Sequence, residues 1–504
     1  MLNIILIFAI SVVIFGVLLA FSLIKKINKS KWFTLGIKIA AGVMFAFITL
    51  RGFLNDKFIT QIKWGYFEGR LFNETDIPTA ILRWIQYTSF FVTTTAVFYN
   101  NRIFKNIAKY VFLPFNIVNT CFVNKHLSYF LEESNVKLGT IRGITLPGNV
   151  RTPLVLIEFI LLLVVGASLF LMDAGKKNYS LGKEITLSAV YTPVMIALTP
   201  PTYIFQSIWG FTSEKMDVFG VYHFIWFAVL AVLMIAIYFL YRLKDKDTRW
   251  SVIAFLSFYL FVHYNTIYLM DFVAARLPLQ LCNLGAYLIL AAVIFKNQKF
   301  FDFVFIANVI GALIAIFAVD VSNNLLSFWT IHYTAEHTWV FLLPLLMVAL
   351  RLYKLPNYKE KALLHFFIGF TIYFAVCWAG GFVFNCYAYD PTTKFLNRVN
   401  YFYIYNTTVV EAFPFLGFTR LVKATVNGYE FYPIYQLVIY GGYMAGCVAF
   451  YFLILFLQGV AKRHFEARKI RIRALEEKGF YKKLHLQVPA LEYANDEEEV
   501  KTND

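Results

Sequence analysis

The chain has 504 residues, of which 59% are hydrophobic, 19% aromatic and 15% charged. So apolar a composition excludes a soluble enzyme, a fibrous protein and a disordered chain. The net charge of +16 would suggest nucleic-acid binding in a soluble protein, but basic loops explain it in a membrane protein. The five cysteines show no CxxC or His/Cys spacing. We therefore expect no nucleic-acid partner, disulfide framework, metal site or cofactor.

Apolar stretches of about 20 residues predict transmembrane helices, because a helix of that length crosses the hydrocarbon layer of a bilayer. The chain contains such stretches from its first residues to its last quarter, and a basic cluster rather than a cleavage site follows the first one. The predicted spans are residues 4–24, 33–50, 81–99, 103–123, 154–172, 185–210, 219–241, 250–269, 277–295, 301–319, 337–350, 363–385 and 432–457. The sequence therefore predicts an all-α, polytopic membrane protein with about 13 transmembrane helices.

The distribution of Lys and Arg predicts the orientation of these helices. With the N-terminus outside, the inner segments hold about twice as many basic residues as the outer loops. We therefore predict a multi-pass protein of the cell membrane with a cytoplasmic C-terminus. The tail, residues 458–504, is basic and then acidic. Its basic part either lies on an anionic inner leaflet or forms a solvated helix.

The two halves of the chain resemble each other around their basic turns. KKINKSKWF follows the first predicted helix and RLKDKDTRWS follows the seventh, and VFYNNRIFKN aligns with VIFKNQKFFD. This pattern predicts two parallel six-helix repeats and a final helix. The predicted units are a non-catalytic N-terminal unit (1–218), a catalytic unit (219–390), an outer loop (391–431), the last helix (432–457) and the tail (458–504).

Polar side chains inside apolar spans are costly in lipid, so they indicate a functional site. In the predicted topology the second half brings several to one membrane depth: His223, His263, Cys282, Asn283, His332, His337 and Asn385. Each has a simpler interpretation, since a membrane cysteine is usually a small apolar residue and a histidine can hydrogen-bond a neighbouring helix. An exposed loop would explain His332 and Glu336. Together, however, a thiol, an imidazole and amides satisfy the requirements of acyl transfer.

Three motifs support that chemistry: RLPLQLCNLGAYL around Cys282, HTWVFLLPLLMV with His337 seven residues before Pro344, and FNCYAYDPTTKFL. They resemble the YwaF-type bacterial integral membrane family. Its eukaryotic relatives include transmembrane protein 164, a phospholipid-remodelling acyltransferase with a Cys nucleophile and a His, and more distantly the androgen-induced-gene hydrolases with Thr and His. The resemblance implies that Cys282 is the nucleophile and His337 the base. The extra N-terminal unit departs from the family pattern, and Gln86 aligns with Cys282 there.

The resulting hypothesis is an acyltransferase, or acyl hydrolase, that works through a Cys282 thioester at the outer leaflet. The predicted partners are phospholipids as donors, and lysolipids, lipoprotein amines or water as acceptors. Asn283 or main-chain amides would hold the oxyanion, while His223, His263, His332 and Asn385 would support the site. With one helix starting at Leu277, Cys282 should lie about 7–8 Å below its outer end, near His337 at the start of another.

Two other classes stay open on the sequence alone. A transporter or lipid-binding protein would explain the many helices and the proline-broken sixth span, TPVMIALTPP. A scaffold would use the tail to recruit a cytoplasmic partner. A Cys282 side chain far from any histidine would favour either class over an enzyme.

Overall fold

The computed structural model describes residues 31–64, 77–99, 101–118, 148–173, 181–202, 204–209, 212–270, 273–319 and 325–477, with isolated positions before residue 18. Within these ranges the chain is almost entirely helical, as predicted, and the only sheet is a two-stranded antiparallel hairpin. Apart from those isolated positions, the predicted first span lies outside the described residues, as does the acidic end of the tail.

The helices are numbered here in chain order. They are α1 Lys31–Trp64, α2 Ile77–Phe98, α3 Arg102–Ile107, α4 Gly148–Asp173, α5 Leu181–Ala197, α6 Ile204–Trp209, α7 Val221–Tyr241, α8 Lys246–Asn265, α9 Ile267–Met270, α10 Leu281–Phe295, α11 Gln298–Phe317, α12 Phe328–Ala349, α13 Ala362–Cys386, α14 Thr408–Ala412 and α15 Pro433–Glu477. A π-helical turn, Ala108–Phe112, continues α3. The hairpin consists of β1 Ala424–Val426 and β2 Tyr429–Phe431.

Four of the described helices are long and apolar enough to cross a membrane. They are Val221–Tyr241, Gln298–Phe317, Ala362–Cys386 and the part of α15 from Pro433 to His464. Two shorter apolar helices are Ile160–Met172 and Leu281–Phe295. The protein is therefore a membrane-embedded helical protein, while the count of about 13 spans stays a prediction.

Two predicted helix starts near the candidate site are wrong. α10 begins at Leu281 rather than Leu277, because Pro278 disfavours helical backbone at the residue before it and Leu277 is extended (φ −54°, ψ 148°). α12 begins at Phe328 rather than His337, since the Ser327 side chain accepts a hydrogen bond from the Thr330 N–H and caps the helix. His332 and Glu336 thus lie in a helix and not in an exposed loop.

A bundle of α8, α10, α11 and α12 forms the centre of the second half, and α13 and α15 pack against α11. α10 and α11 run antiparallel, because Leu281 lies beside Gly311 and Gly285 lies beside Asn308. α10 and α12 run parallel. Arg276 lies over the Trp329 ring where both helices begin, and Tyr353 donates to the Ala292 carbonyl where both end.

Several features of the first half have counterparts in the second. Asn101 caps α3 by accepting from the N–H three residues later, and Asn297 caps α11 in the same way. α1 packs on α2 and α4, as α8 packs on α10 and α12. An Arg102–Glu184 ion pair joins α3 to α5, and an Asp302–His365 pair joins α11 to α13. These similarities agree with the repeat, whose superposition stays a prediction.

Candidate functional site

Cys282 is the second residue of α10 and has a free, half-buried thiol. The first main-chain bond of this helix runs from the Leu284 N–H to the Gln280 carbonyl (2.8 Å), and the Gln280 side chain does not cap the helix. The N–H groups of Leu281 and Asn283 therefore have no acceptor among the described residues. Cys282 lies at the positive end of the helix, beside unused hydrogen-bond donors.

The start of α10 is fixed by parts of the chain that come much later. The Gln280 amide donates to the Asn400 carbonyl (2.8 Å), and its oxygen accepts from the Phe402 N–H (3.0 Å). The Tyr373 hydroxyl on α13 donates to the Leu279 carbonyl (2.9 Å). The loop after α13 and α13 itself therefore hold the segment that presents Cys282.

His337 lies about 14 Å along α12 from Phe328, at the rise of an α-helix. Its Nδ1 donates to the Tyr333 carbonyl (2.7 Å), which leaves the lone pair on Nε2, and Nε2 has no hydrogen-bond partner in the part of the chain that the structure describes. The side chain is only 5% exposed. The imidazole therefore has the tautomer that a general base requires.

Contacts between α10 and α12 show how Cys282 and His337 are aligned. A Cβ built on Gly285 would lie 2.9 Å from Cγ1 of Val340, so these two residues are neighbours. Gly285 follows Cys282 by three residues, and Val340 follows His337 by three. Because the two helices run parallel, Cys282 and His337 lie at the same level of the bundle, and the first turns of α12 extend beyond Cys282.

A second polar cluster lies at this level. Glu336 is 3% exposed and directly precedes His337, so it lies within one residue of the level of Cys282. Its Oε2 is 3.6 Å from Nδ1 of His332. Nε2 of His332 donates to the Tyr264 carbonyl (3.0 Å), and the His332 ring stacks on His263 with 5.3 Å between ring centroids. The second carboxyl oxygen of Glu336, Oε1, has no partner among the described residues.

The other predicted supporting residues differ in what they contact. Both nitrogens of His223 are occupied, one accepting from the Phe219 N–H (2.8 Å) and the other donating to the Ile316 carbonyl (2.7 Å). Asn385 binds both main-chain groups of Val399. These contacts hold helix ends and a loop. Asn283 is half-buried and has no hydrogen bond to the described residues.

Sequence reasoning missed Asn308, which lies in the apolar run VFIANVIGAL of α11. Asn308 is fully buried, and neither amide atom has a hydrogen-bond partner among the described residues. Its amide nitrogen lies 3.4 Å from the Cβ position of Gly285, one turn beyond Cys282. A lone Asn in an apolar helix was the only signal that could have found it.

The cluster does not resemble a metal site. No group of three or more His, Cys, Asp or Glu side chains suited to a metal ion occurs in the ranges given above. The described residues offer a thiol, an imidazole with a free lone pair, a carboxyl oxygen without a partner and unused main-chain N–H groups. These are the groups of acid–base and nucleophilic chemistry.

Comparison with known proteins gives one match. No curated protein and no solved structure matches the chain. The model of the TMEM164 family matches residues 218–454. The matched region contains α7 to α13, with Cys282 and His337, and continues through the loop after α13 into α15, beyond the predicted catalytic unit. The C-terminal half of the chain is therefore related to the TMEM164 family.

Proposed function

We propose that this protein is a membrane-embedded acyltransferase that moves a fatty acyl chain through a thioester on Cys282. The observation that carries the proposal is the common level of Cys282 and His337 on two parallel helices, set by the contact of Gly285 with Val340. A nucleophile and a base must come within hydrogen-bond reach, although resting sites are often looser. Equal height on neighbouring parallel helices is what such a pair requires.

The proposed acylation step uses three groups. The Cys282 thiol gives its proton to Nε2 of His337, and the sulfur bonds to the carbonyl carbon of a lipid ester. The carbon–oxygen bond breaks, and the departing alcohol takes the proton from His337. The Asn283 N–H has no acceptor among the described residues, so it is available to hold the oxyanion.

The proposed donor is a phospholipid, because Cys282 is the second residue of an apolar helix rather than about 7–8 Å below its start, and the ester groups of a lipid lie near the ends of membrane helices. The acceptor is a lysolipid, a lipoprotein amine or water. We place the site at the outer leaflet, from the predicted orientation with the N-terminus outside and the C-terminus in the cytoplasm. In this scheme the first half supports the site or selects the lipid.

The test is to detect the acyl-enzyme. The full-length protein is reconstituted in phosphatidylglycerol vesicles whose acyl chains carry an alkyne, and hydroxylamine-sensitive labelling of the protein is followed. Cys282→Ala should abolish labelling, and His337→Ala should slow it by about 10²-fold or more. Cys386→Ala, a change in another buried cysteine, should leave labelling unchanged. Unchanged labelling in both site variants of a properly inserted protein would reject the proposal.

A second candidate is a transporter or lipid-binding protein without covalent chemistry. One observation favours it: α5 ends at Ala197 and α6 begins at Ile204, with Pro200 and Pro201 between them, and broken helices often line transport pathways. The labelling experiment separates the two functions. Transport or binding without a hydroxylamine-sensitive adduct on Cys282 would support this second candidate.

A further inference from the structure

Glu336 is a buried carboxyl group that the acylation step does not use. Its side chain is 4% exposed, and its Oε1 makes no hydrogen bond within the described residues. A buried polar atom without a partner is unfavourable, so a hydrogen-bond donor bound at this point would be stabilised. Glu336 precedes Val340 by four residues and Cys282 precedes Gly285 by three, so the carboxyl group and the thiol lie on the facing sides of α12 and α10 at nearly the same level.

His332 sets the orientation of this carboxyl group. Because Nε2 of His332 donates to the Tyr264 carbonyl (3.0 Å), its lone pair is on Nδ1, 3.6 Å from Oε2 of Glu336. Stacking on His263 keeps the His332 ring in place. At 3.6 Å the two groups are in contact but not hydrogen-bonded, so His332 limits where the carboxyl group can lie without occupying Oε1.

Glu336 and His337 leave α12 in different directions. Adjacent residues of an α-helix are separated by about 100° around the axis. His337 Nδ1 is held by Tyr333, while Glu336 Oε2 faces His332. The thioester on Cys282 would thus have a base on each of two sides, one for the thiol and one for a second molecule that approaches later.

We infer that Glu336 is a further catalytic residue, the base that receives the proton of the acyl acceptor, with His332 as its positioning residue. The inference rests on the proposed function. The acceptor's nitrogen or oxygen bonds to the thioester carbonyl carbon while its proton passes to Oε1 of Glu336. The carbon–sulfur bond then breaks, the sulfur takes up the proton from Glu336, and the thiol is restored. His337 serves the acylation half of the reaction.

The ligand of Oε1 is a hydrogen-bond donor on a nucleophile, and three sources share that chemistry. A lysolipid offers a hydroxyl, a lipoprotein offers an amine, and water offers its own O–H. The experiment distinguishes them by giving the labelled acyl-enzyme lysophosphatidylglycerol, a diacylglyceryl-cysteine lipopeptide with a free amine, or buffer alone.

The decisive variant is Glu336→Gln in the full-length protein, in the alkyne-labelled phosphatidylglycerol vesicles. Label should form on Cys282 within a few-fold of the wild-type rate, but its release to the acceptor should slow by about 10²-fold, so the acyl-enzyme accumulates. Glu360→Gln is the matched control, because Glu360 is an exposed residue paired with Lys354. It should behave as the wild type in both steps.

A second variant protects the test against misfolding. Glu336→Asp keeps a carboxyl group with a shorter reach, so it should form label normally and release it faster than Glu336→Gln. Release at the wild-type rate in Glu336→Gln, or an equal loss of formation and release in both variants, would overturn the inference. Either result leaves the proposed function standing as long as Cys282→Ala abolishes label. Labelling that survives in Cys282→Ala refutes the proposed function instead.

Discussion

The contact of Gly285 with Val340 places Cys282 and His337 at the same level of the bundle, and substitutions at Gly285 and Val340 can test this contact. A methyl group at Gly285 would lie 2.9 Å from Cγ1 of Val340 and 3.4 Å from Cγ of Asn308. Carbon atoms normally contact at 3.5–4.0 Å, so either the Val340 side chain must shift or α10 and α12 must separate. Such overpacking lowers the stability of the fold by about 1–3 kcal/mol. Replacing Gly by Ala within a helix raises it by roughly 1 kcal/mol. We expect Gly285→Ala to lower the free energy of unfolding by about 0–2 kcal/mol.

Val340→Ala is the partner in a double-mutant cycle. It removes the methyl groups that the new Cβ would meet, so the double variant should be more stable than the sum of the two changes by about 1–2 kcal/mol. The midpoint of thermal unfolding is measured in one detergent for all variants, where 1 kcal/mol corresponds to roughly 2–4 °C. Gly442→Ala on α15 is the control, because its Cβ would meet no atom within 4 Å.

The same variants report on chemistry. A misplacement of about 1 Å can cost roughly 10²-fold in rate, so Gly285→Ala should slow acyl-enzyme formation and Val340→Ala should partly restore it. Additive stability changes, or a Gly285→Ala variant that behaves like Gly442→Ala, would show that these helices do not meet at this register. The alignment of Cys282 with His337 would then lose its support.

Three other predictions concern orientation, capping and a buried amide. Cysteines introduced between residues 387 and 430 should react with an impermeant thiol reagent in intact cells, and those beyond Lys462 should not; the reverse pattern puts the site at the cytoplasmic face. Asp245→Ala should cost about 1 kcal/mol at neutral pH, because Asp245 caps α8 by accepting from the Thr248 N–H. The side-chain hydrogen bond from Thr248 lowers the pKa of Asp245 below its ordinary value of 3.8. The stabilisation by Asp245 is therefore complete above pH 3.8 and disappears as the pH falls through the lowered pKa. A difference in thermal midpoint between Asp245→Ala and wild type that is equal at pH 7 and pH 2 would contradict this prediction. Asn308→Leu should raise the thermal midpoint by removing unpartnered buried atoms, and a lower midpoint would indicate that the amide has a partner.

The sequence predicted the helical class and most helices of the described region, because apolar runs are a local property that the bilayer itself demands. It misplaced the starts of α10 and α12. Pro278 is a local signal for the later start of α10, because a proline disfavours helical backbone at the residue before it. Ser327 is a weaker signal for the start of α12, because it is one of many polar residues that can cap a helix. Since α12 starts at Phe328, His332 and Glu336 become buried residues of a helix, which no apolar run had indicated.

The candidate site was predictable only in part. Cys282 and His337 were found from motifs and from a resemblance to a family. The contact of Gly285 with Val340, the unpartnered amide of Asn308 and the pairing of Glu336 with His332 depend on which helix faces meet. That information is long-range, so the spacing of residues along the chain does not contain it.

The attachment of α10 to the later loop also has a consequence for biosynthesis. Two hydroxyl groups hold the segment before Cys282: Tyr373 donates to the Leu279 carbonyl and Tyr401 donates to the Ala274 carbonyl. Tyr373 follows Leu279 by 94 positions, and Tyr401 follows Ala274 by 127. At about 5–20 residues per second, these residues leave the ribosome roughly 5–25 s after the segment they fix. During that interval α10 can already be in the bilayer while the segment before its first turn lacks the hydrogen bonds from Tyr373 and Tyr401. The segment before Cys282 is therefore fixed only once α13 and the loop after it have been made, and a chain that stops before Tyr373 would carry Cys282 without the contacts that orient it.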